Sequence, residues 1–292
     1  MPFTGKTEFG KVLAAKLRSQ LVVDGLFRRE YKGDALGVAV KTPMTTDDTL
    51  SADYDGANIA NNTVTYLNNT YVTTVINHHP FVNKYIPGFN LTTASWDAKA
   101  CAVESAAYSV AKKMNSDAIT VLINGAQGKD EAGTAFASTD PRYGLTGHTV
   151  AFATDFYTTL AKMGGKLTDA GVPMEDRYAI VNGDGQALVL ASPLAVKYGQ
   201  DEQAINGGVI AELCGFKIKV SNLVSGTISS KKILAVCGHP DFGINPSDYE
   251  EEPTLVSGNF SQNTVGGVFV KALAHYAYDI SDPRAFGCIT EA

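Results

Sequence analysis

Between residues 31 and 86 the chain carries strand-like pieces with almost nothing to bury, and this restricts its folding more than any other feature. Leu36–Lys41, Thr63–Leu67 and Tyr71–Asn77 read as strands, joined by a polar segment containing Asp47, Asp48, Asp53 and Asp55. Asn and Thr dominate, as in Asn61, Asn62, Thr63, Thr65, Asn68, Asn69 and Thr70. An isolated two-stranded ribbon is marginal in water. A polar ribbon of this length needs support from outside itself, and another copy of the chain is the simplest source. The alternative is a flexible surface insertion.

The rest of the chain is not short of core. It has 292 residues, 45% hydrophobic and 18% charged, which suits one or two domains. The net charge of −6 argues against a surface built to bind nucleic acid, although it suits a container whose walls avoid sticking to DNA. Cys101, Cys214, Cys237 and Cys288 lack CxxC spacing and read as small hydrophobes in a reducing compartment. The opening Met1-Pro2-Phe3-Thr4-Gly5-Lys6 has no signal-peptide core, and no apolar run approaches the roughly 20 residues that span a bilayer. A soluble product made in the cytoplasm is expected.

Phe9, Val12, Leu13, Leu17 and Leu21 fall near helical spacing within residues 7–30. Such a short amphipathic helix must dock on the body or on a neighbour. A long helix is expected over 91–117, with a stripe of Ala98, Cys101, Ala102, Ser105 and Tyr108, near which Ala111 and Met114 fall. Asp97 would sit in its first turn and Lys112-Lys113 in its last. Ile119–Ile123 reads as a buried strand, 125–147 as a loop, and Thr149–Met163 as a helix stopped by Gly164-Gly165. Tyr178–Val181 and Ile233–Cys237 read as strands, Asn182-Gly183-Asp184-Gly185 as a turn, and Glu250-Glu251-Glu252-Pro253 as an acidic loop. Val265–Tyr278, a turn at 279–283 and a piece at Phe286–Thr290 close the chain.

Residues carrying recognisable chemistry are few. Gly5-Lys6-Thr7 has no strand before it, and Gly125-Ala126-Gln127-Gly128-Lys129 is followed by Asp130, so neither makes a phosphate loop. His78-His79 with His239 suggests a metal, but adjacent histidines in a strand point to opposite faces. His239-Pro240-Asp241 suggests a catalytic dyad, but no GxSxG elbow or paired nucleophile accompanies it. The sequons at Asn61, Asn68, Asn90 and Asn259 are chance matches without a secretory route. No catalytic, cofactor-binding or metal-binding residue is assigned, no cofactor is expected, and the chain is not expected to be an enzyme.

Residues 205–222 read as a turn at Asn206-Gly207, a strand Val209–Leu213, a bend at Gly215 and a half-buried strand through Phe216, Ile218 and Val220. On composition alone this is a core hairpin. Its wording, however, resembles the NG-x-I-x4-GF-x-I-x-x-SN signature of tailed-bacteriophage major capsid proteins with the Hong Kong-phage (HK-type) shell fold. The segment 170–181, Ala-Gly-Val-Pro-Met-Glu-Asp-Arg-Tyr-Ala-Ile-Val, is similar to that family's VP-x-x-x-R-Y-x-V phrase. The Tyr-Val-Thr-Thr-Val-Ile-Asn-His-His-Pro-Phe-Val-Asn-Lys run at 71–84 looks like the return limb of its extended loop.

The resemblance implies an α+β fold with an N-terminal arm (1–31), an extended β-hairpin loop (32–86), a peripheral domain with a long spine helix (87–124 and 268–292) and an axial domain (125–267). It implies a structural subunit that self-assembles into hexamers and pentamers of an icosahedral shell enclosing phage double-stranded DNA, without sequence-specific binding and without a membrane. A separate scaffolding protein, a portal and a decoration protein are the implied partners. The virion is the implied location, after assembly in the bacterial host cytoplasm. A separate scaffold is expected because the body begins almost at once after Met1, and no Lys–Asn crosslink is expected. The alternatives are an encapsulin-like nanocompartment shell protein enclosing cargo enzymes, and an unrelated soluble enzyme.

Overall fold

The computed structural model describes residues 21–28, 39–44, 70–87, 98–192, 212–257 and 267–292. Of the helix expected within residues 7–30, the part up to residue 20 lies outside the described residues, as do the strand Thr63–Leu67, residues 91–97 and the Asn206-Gly207 turn; Leu21–Val23 are not helical, and a turn follows at Asp24-Gly25. In chain order the elements are β1 (Ala39–Met44), β2 (Thr70–Val75), β3 (Phe81–Pro87), α1 (Ala98–Gly125), β4 (His148–Ala151), α2 (Phe156–Asp169), β5 (Tyr178–Val181) and α3 (Gly183–Ala191). They continue with β6 (Glu212–Leu213), β7 (Phe216–Val220), β8 (Thr227–Ile228), β9 (Lys231–Gly238), β10 (Gly243–Ile244), β11 (Ser247–Ser257), β12 (Gly267–Tyr276), β13 (Asp279–Ile280) and β14 (Gly287–Thr290).

β12 alternates as a strand with one dry face must: Val268, Val270, Ala272, Ala274 and Tyr276 are buried and the residues between them are half-buried. It is the centre of an antiparallel sheet ordered β11-β12-β3. The first half of α1 lies on that face. Ala106 packs with Ile86 and Val270, and Val110 with Ala272 and Ala274.

The larger sheet is ordered β4-β14-β9-β5-β7-β6, with β8 beside β9. β14 runs parallel to β4 and β5 parallel to β7, while β9 is antiparallel to both β14 and β5. Every residue of β5 is buried, the pattern of a strand covered on both faces. Phe156, Leu160, Met163 and Leu167 of α2 recur at helical spacing and are fully buried against this sheet's core.

Several local expectations are corrected. Ile119–Ile123 is not a strand; α1 continues through it to Gly125, with Ala118, Ile119, Val121 and Leu122 buried on nearly all sides. A short apolar run fits a buried helix turn as well as a strand. Lys112 and Lys113 therefore sit in mid-helix, where Lys113 Nζ pairs with Asp117 Oδ1 at 2.7 Å. Thr149 belongs to β4, and α2 starts only after Asp155, whose carboxylate accepts the Thr158 N–H. Gly164-Gly165 does not stop α2, which runs on to Asp169; at Gly164 a Cβ would lie 3.3 Å from the Phe216 ring, so a small residue suits the packing there. Asn182 is a helix cap rather than a turn residue: its Oδ1 accepts the Gly185 N–H at 2.7 Å and starts α3. The acidic run 250–252 lies within β11, whose register slips between Tyr249 and Glu251 and again before Thr254, which accommodates Pro253 in a sheet.

Strand pairing also crosses the expected division of the chain. β14, expected with the peripheral segment 268–292, sits inside the large sheet. β11, expected within 125–267, pairs with β12 and so joins β3. These partners meet through backbone hydrogen bonds between distant segments, which no local pattern encodes.

Candidate functional site

The features that stand apart from core packing are the mounts of residues 21–28 and of the β1–β2 pair. Residues 21–28 are a short peptide docked on the body of the chain. Val22 N and Val23 N both donate to Asn115 Oδ1, at 2.8 and 3.0 Å. Lys219 Nζ donates to Val22 O at 3.1 Å and Asp24 O at 2.6 Å, and burial, with Lys217 nearby, lowers its pKa from the usual lysine value. Leu26 and Phe27 are buried, and Arg28 N donates to Gly243 O at 3.0 Å. A helix residue and a sheet residue thus clamp one short peptide from two sides.

β1 and β2 form a two-stranded antiparallel sheet, in register from Ala39↔Val75 to Met44↔Thr70. A neighbouring copy is the expected support, but for β1 and β2 the chain's own body supplies it. Val72 and Thr74 are buried, and Thr74 Oγ1 donates to Asp279 Oδ2 at 3.2 Å. Tyr71 and Val75, on the opposite face of β2, remain about half exposed. Residues 45–69 lie outside the described residues.

Arg142 holds Asp279 from the other side. Its Nη1 donates to Asp279 Oδ1 and to Ile280 O, while Nε and Nη2 donate to the two oxygens of Asp140. Burial would depress the guanidinium, but the two carboxylates outweigh it and raise its pKa. For Asp140 burial is likewise outweighed, and bonding to Arg142 holds the carboxyl below its usual range. Asp279 is different: burial pushes its carboxyl up against the pull of Arg142. These groups line a cleft of about 640 Å³ with Thr73, Asn77, Asp130 and Glu131.

The return limb after β2 is fastened by His78. Its Nε2 meets Glu131 Oε1, its Nδ1 lies 3.6 Å from Asp117 Oδ2, and its ring stacks on Tyr276 with centroids 5.0 Å apart. Tyr276 Oη donates to Asp117 Oδ2 at 2.7 Å, and burial followed by that carboxylate pushes the phenol up.

The residues singled out for chemistry scatter. His78 and His79 take opposite faces, as adjacent strand residues do, and His239 is buried elsewhere, where its Nδ1 accepts the Asp241 N–H at 3.2 Å. Gly125 ends a helix, whereas a phosphate loop must begin one. None of the four cysteines forms a disulfide; Cys237 and Cys288 are buried, and burial pushes the Cys288 thiol up to about 12. Among the described residues no three His, Cys, Asp or Glu side chains converge on a metal position. No described helix is long and apolar enough to cross a membrane.

Both phrases behind the family resemblance have structural reasons. Arg177 is 4% exposed and donates to Pro173 O at 2.7 Å, Val172 O at 2.6 Å, Gly164 O at 3.0 Å and Thr168 Oγ1 at 3.1 Å, which ties the end of α2 to β5. Burial lowers its pKa. Cys214 and Gly215 take φ of 53° and 76°, the paired positive φ of a tight hairpin turn, and deliver Phe216 into the core. The mounts Asn115, Lys219, Arg142 and Asp279 have no local signal. Their bonds join residues 93 positions apart for Asn115–Val22 and 205 for Thr74–Asp279.

Comparison with models of known families and with curated proteins finds no match. Solved structures do match along nearly the whole chain. One is from Mycobacterium phage Che8, at 17% identity and TM-score 0.74, covering 99% of this chain and 98% of that one. The capsid structure of the cyanophage P-SCSP1u gives 13% identity and TM-score 0.74 over 99% and 93%. The mature capsid of bacteriophage PhiM1 gives 12% identity and TM-score 0.66 over 98% and 92%. The chain has the α+β HK-type shell fold that these phage structures share.

Proposed function

We propose that this chain is a major capsid protein, many copies of which close into an icosahedral head around phage double-stranded DNA. The observation that carries this reading is fold likeness over 98–99% of the chain to structures that include phage capsids. The mounts agree with it: a shell subunit has to project an arm and a ribbon toward neighbours from a rigid body, and Asn115, Lys219, Arg142 and Asp279 hold the bases of both. The described matches are phage and GTA particles, which does not favour an encapsulin-like compartment.

In this reading hexamers and pentamers form in the host cytoplasm and end in the virion. A scaffolding protein, a portal and a decoration protein act beside them, and the packaged DNA meets a chain of net charge −6 without sequence-specific contacts. The arm, extended loop, peripheral and axial divisions carry over, with β14 reassigned to the axial sheet and β11 to the peripheral one. No catalytic role is proposed. Negative-stain electron microscopy and size-exclusion of the overexpressed protein, alone and with its scaffold gene, test this. Megadalton shells or capsomers are expected; a small discrete oligomer under both conditions overturns it.

A further inference from the structure

The sequence invites pairing His78 with His79, but the strand register pairs His79 with His275. His78 and Tyr276 exchange both backbone hydrogen bonds, N to O at 3.2 and 3.1 Å. The next pair along the ladder, His79 opposite His275, is therefore a non-hydrogen-bonded pair, where cross-strand side chains come closest. The two Nδ1 atoms face each other at 2.5 Å, with ring centroids 4.7 Å apart and planes at 67°. A neutral imidazole carries one N–H, so this contact is either an Nδ1–H···Nδ1 hydrogen bond or, with both rings in the other tautomer, two lone pairs turned toward one Lewis acid.

We propose that His79 and His275 form a two-histidine site for a divalent transition-metal ion of the zinc, nickel and copper class. Imidazole suits these ions, and a cation about 2.0–2.1 Å from each nitrogen requires the two to part only to roughly 3.3 Å. His79 is exposed and His275 half-buried, so the rings have room to open and water can fill the remaining positions. His78 takes no part, since its ring lies on the opposite face against Glu131 and Tyr276.

The test uses the untagged full chain on an immobilised nickel column. The chain has five histidines, of which His239 is buried and His148 has a buried Nε2, so retention reports mainly on this pair. Retention and elution by imidazole are expected for the wild type and for His78→Asn. Loss of retention is expected for His79→Ala and for His275→Ala alone, with the double variant no weaker than either single one. Equilibrium dialysis of the same five proteins against zinc should give one ion per chain in the wild type and His78→Asn only. Circular dichroism shows that each variant is folded. A wild type that flows through, retention that survives either single substitution, or loss in His78→Asn each overturns the proposal.

Discussion

Arg142 Nη1 donates to Asp279 Oδ1, tying the loop behind the long helix to the short strand at the root of the ribbon. Removing the cation strands a carboxylate in a site with little solvent. Arg142→Met is expected to cost about 3 kcal/mol of unfolding free energy, in line with breaking a buried pair. Asp279→Asn should cost clearly less, because burial already favours the neutral form there and the amide oxygen still accepts from Arg142. Urea unfolding of the two variants checks the order, and equal losses would contradict it.

Asn115 offers one oxygen to two arm amides. In Asn115→Ala both amides lose their acceptor beside a buried Val23, at a cost of about 1–3 kcal/mol. Hydrogen exchange in a peptide covering residues 21–28 should accelerate while β5 and β9 stay protected. If the 21–28 peptide exchanges as in the wild type, Asn115 is not the clamp.

Two glycines should respond in opposite directions. A Cβ at Gly147 would lie 2.5 Å from Phe286 O, 2.7 Å from Pro283 O and 2.9 Å from Ala126 Cα, all backbone atoms that cannot rotate away. Gly147→Ala should therefore destabilise by about 2 kcal/mol or more through overpacking. Gly165 lies inside α2 with open space around its Cβ position. Gly165→Ala should stabilise by about 0.5–1 kcal/mol, the helix-interior difference between the two residues. Thermal melts decide both.

His148 supplies a pH dependence. Burial, followed by nearby Lys166, lowers its pKa from the ordinary 6.5, and its Nε2 is buried without a hydrogen-bond partner among the described residues. The folded state then holds fewer protons on this group than the unfolded state in the range below 6.5. Its contribution is full above pH 6.5 and is lost as pH falls through the folded value. His148→Gln should flatten the fall in urea midpoint between neutral and mildly acidic pH, relative to the wild type. Parallel curves for the two proteins would assign the slope elsewhere.

Local patterns made much of this fold legible. β5, β7, β9 and β14 announce themselves by apolar or alternating runs, and α1 by its small-residue stripe, although the buried positions are Ala106 and Val110 rather than Ser105 and Tyr108. The errors share a cause. Ile119–Ile123 and Asn182–Gly185 carry signals common to two structures, and tertiary burial or a cap decides between them. Glu250–Pro253 looks like a loop because charge and proline disfavour strands, yet an edge strand with slipped register tolerates both. Contacts such as Arg142–Asp279 and His79–His275 were out of reach, since each depends on the register of strands far apart in sequence.

β14 sits between β4 and β9, and it is the strand that β4 pairs with in this sheet. While a chain folds, this sheet stays in two pieces, β4 apart from β9, until residues 287–290 slot between them. One four-residue strand therefore decides when two separate stretches of the chain become a single layer.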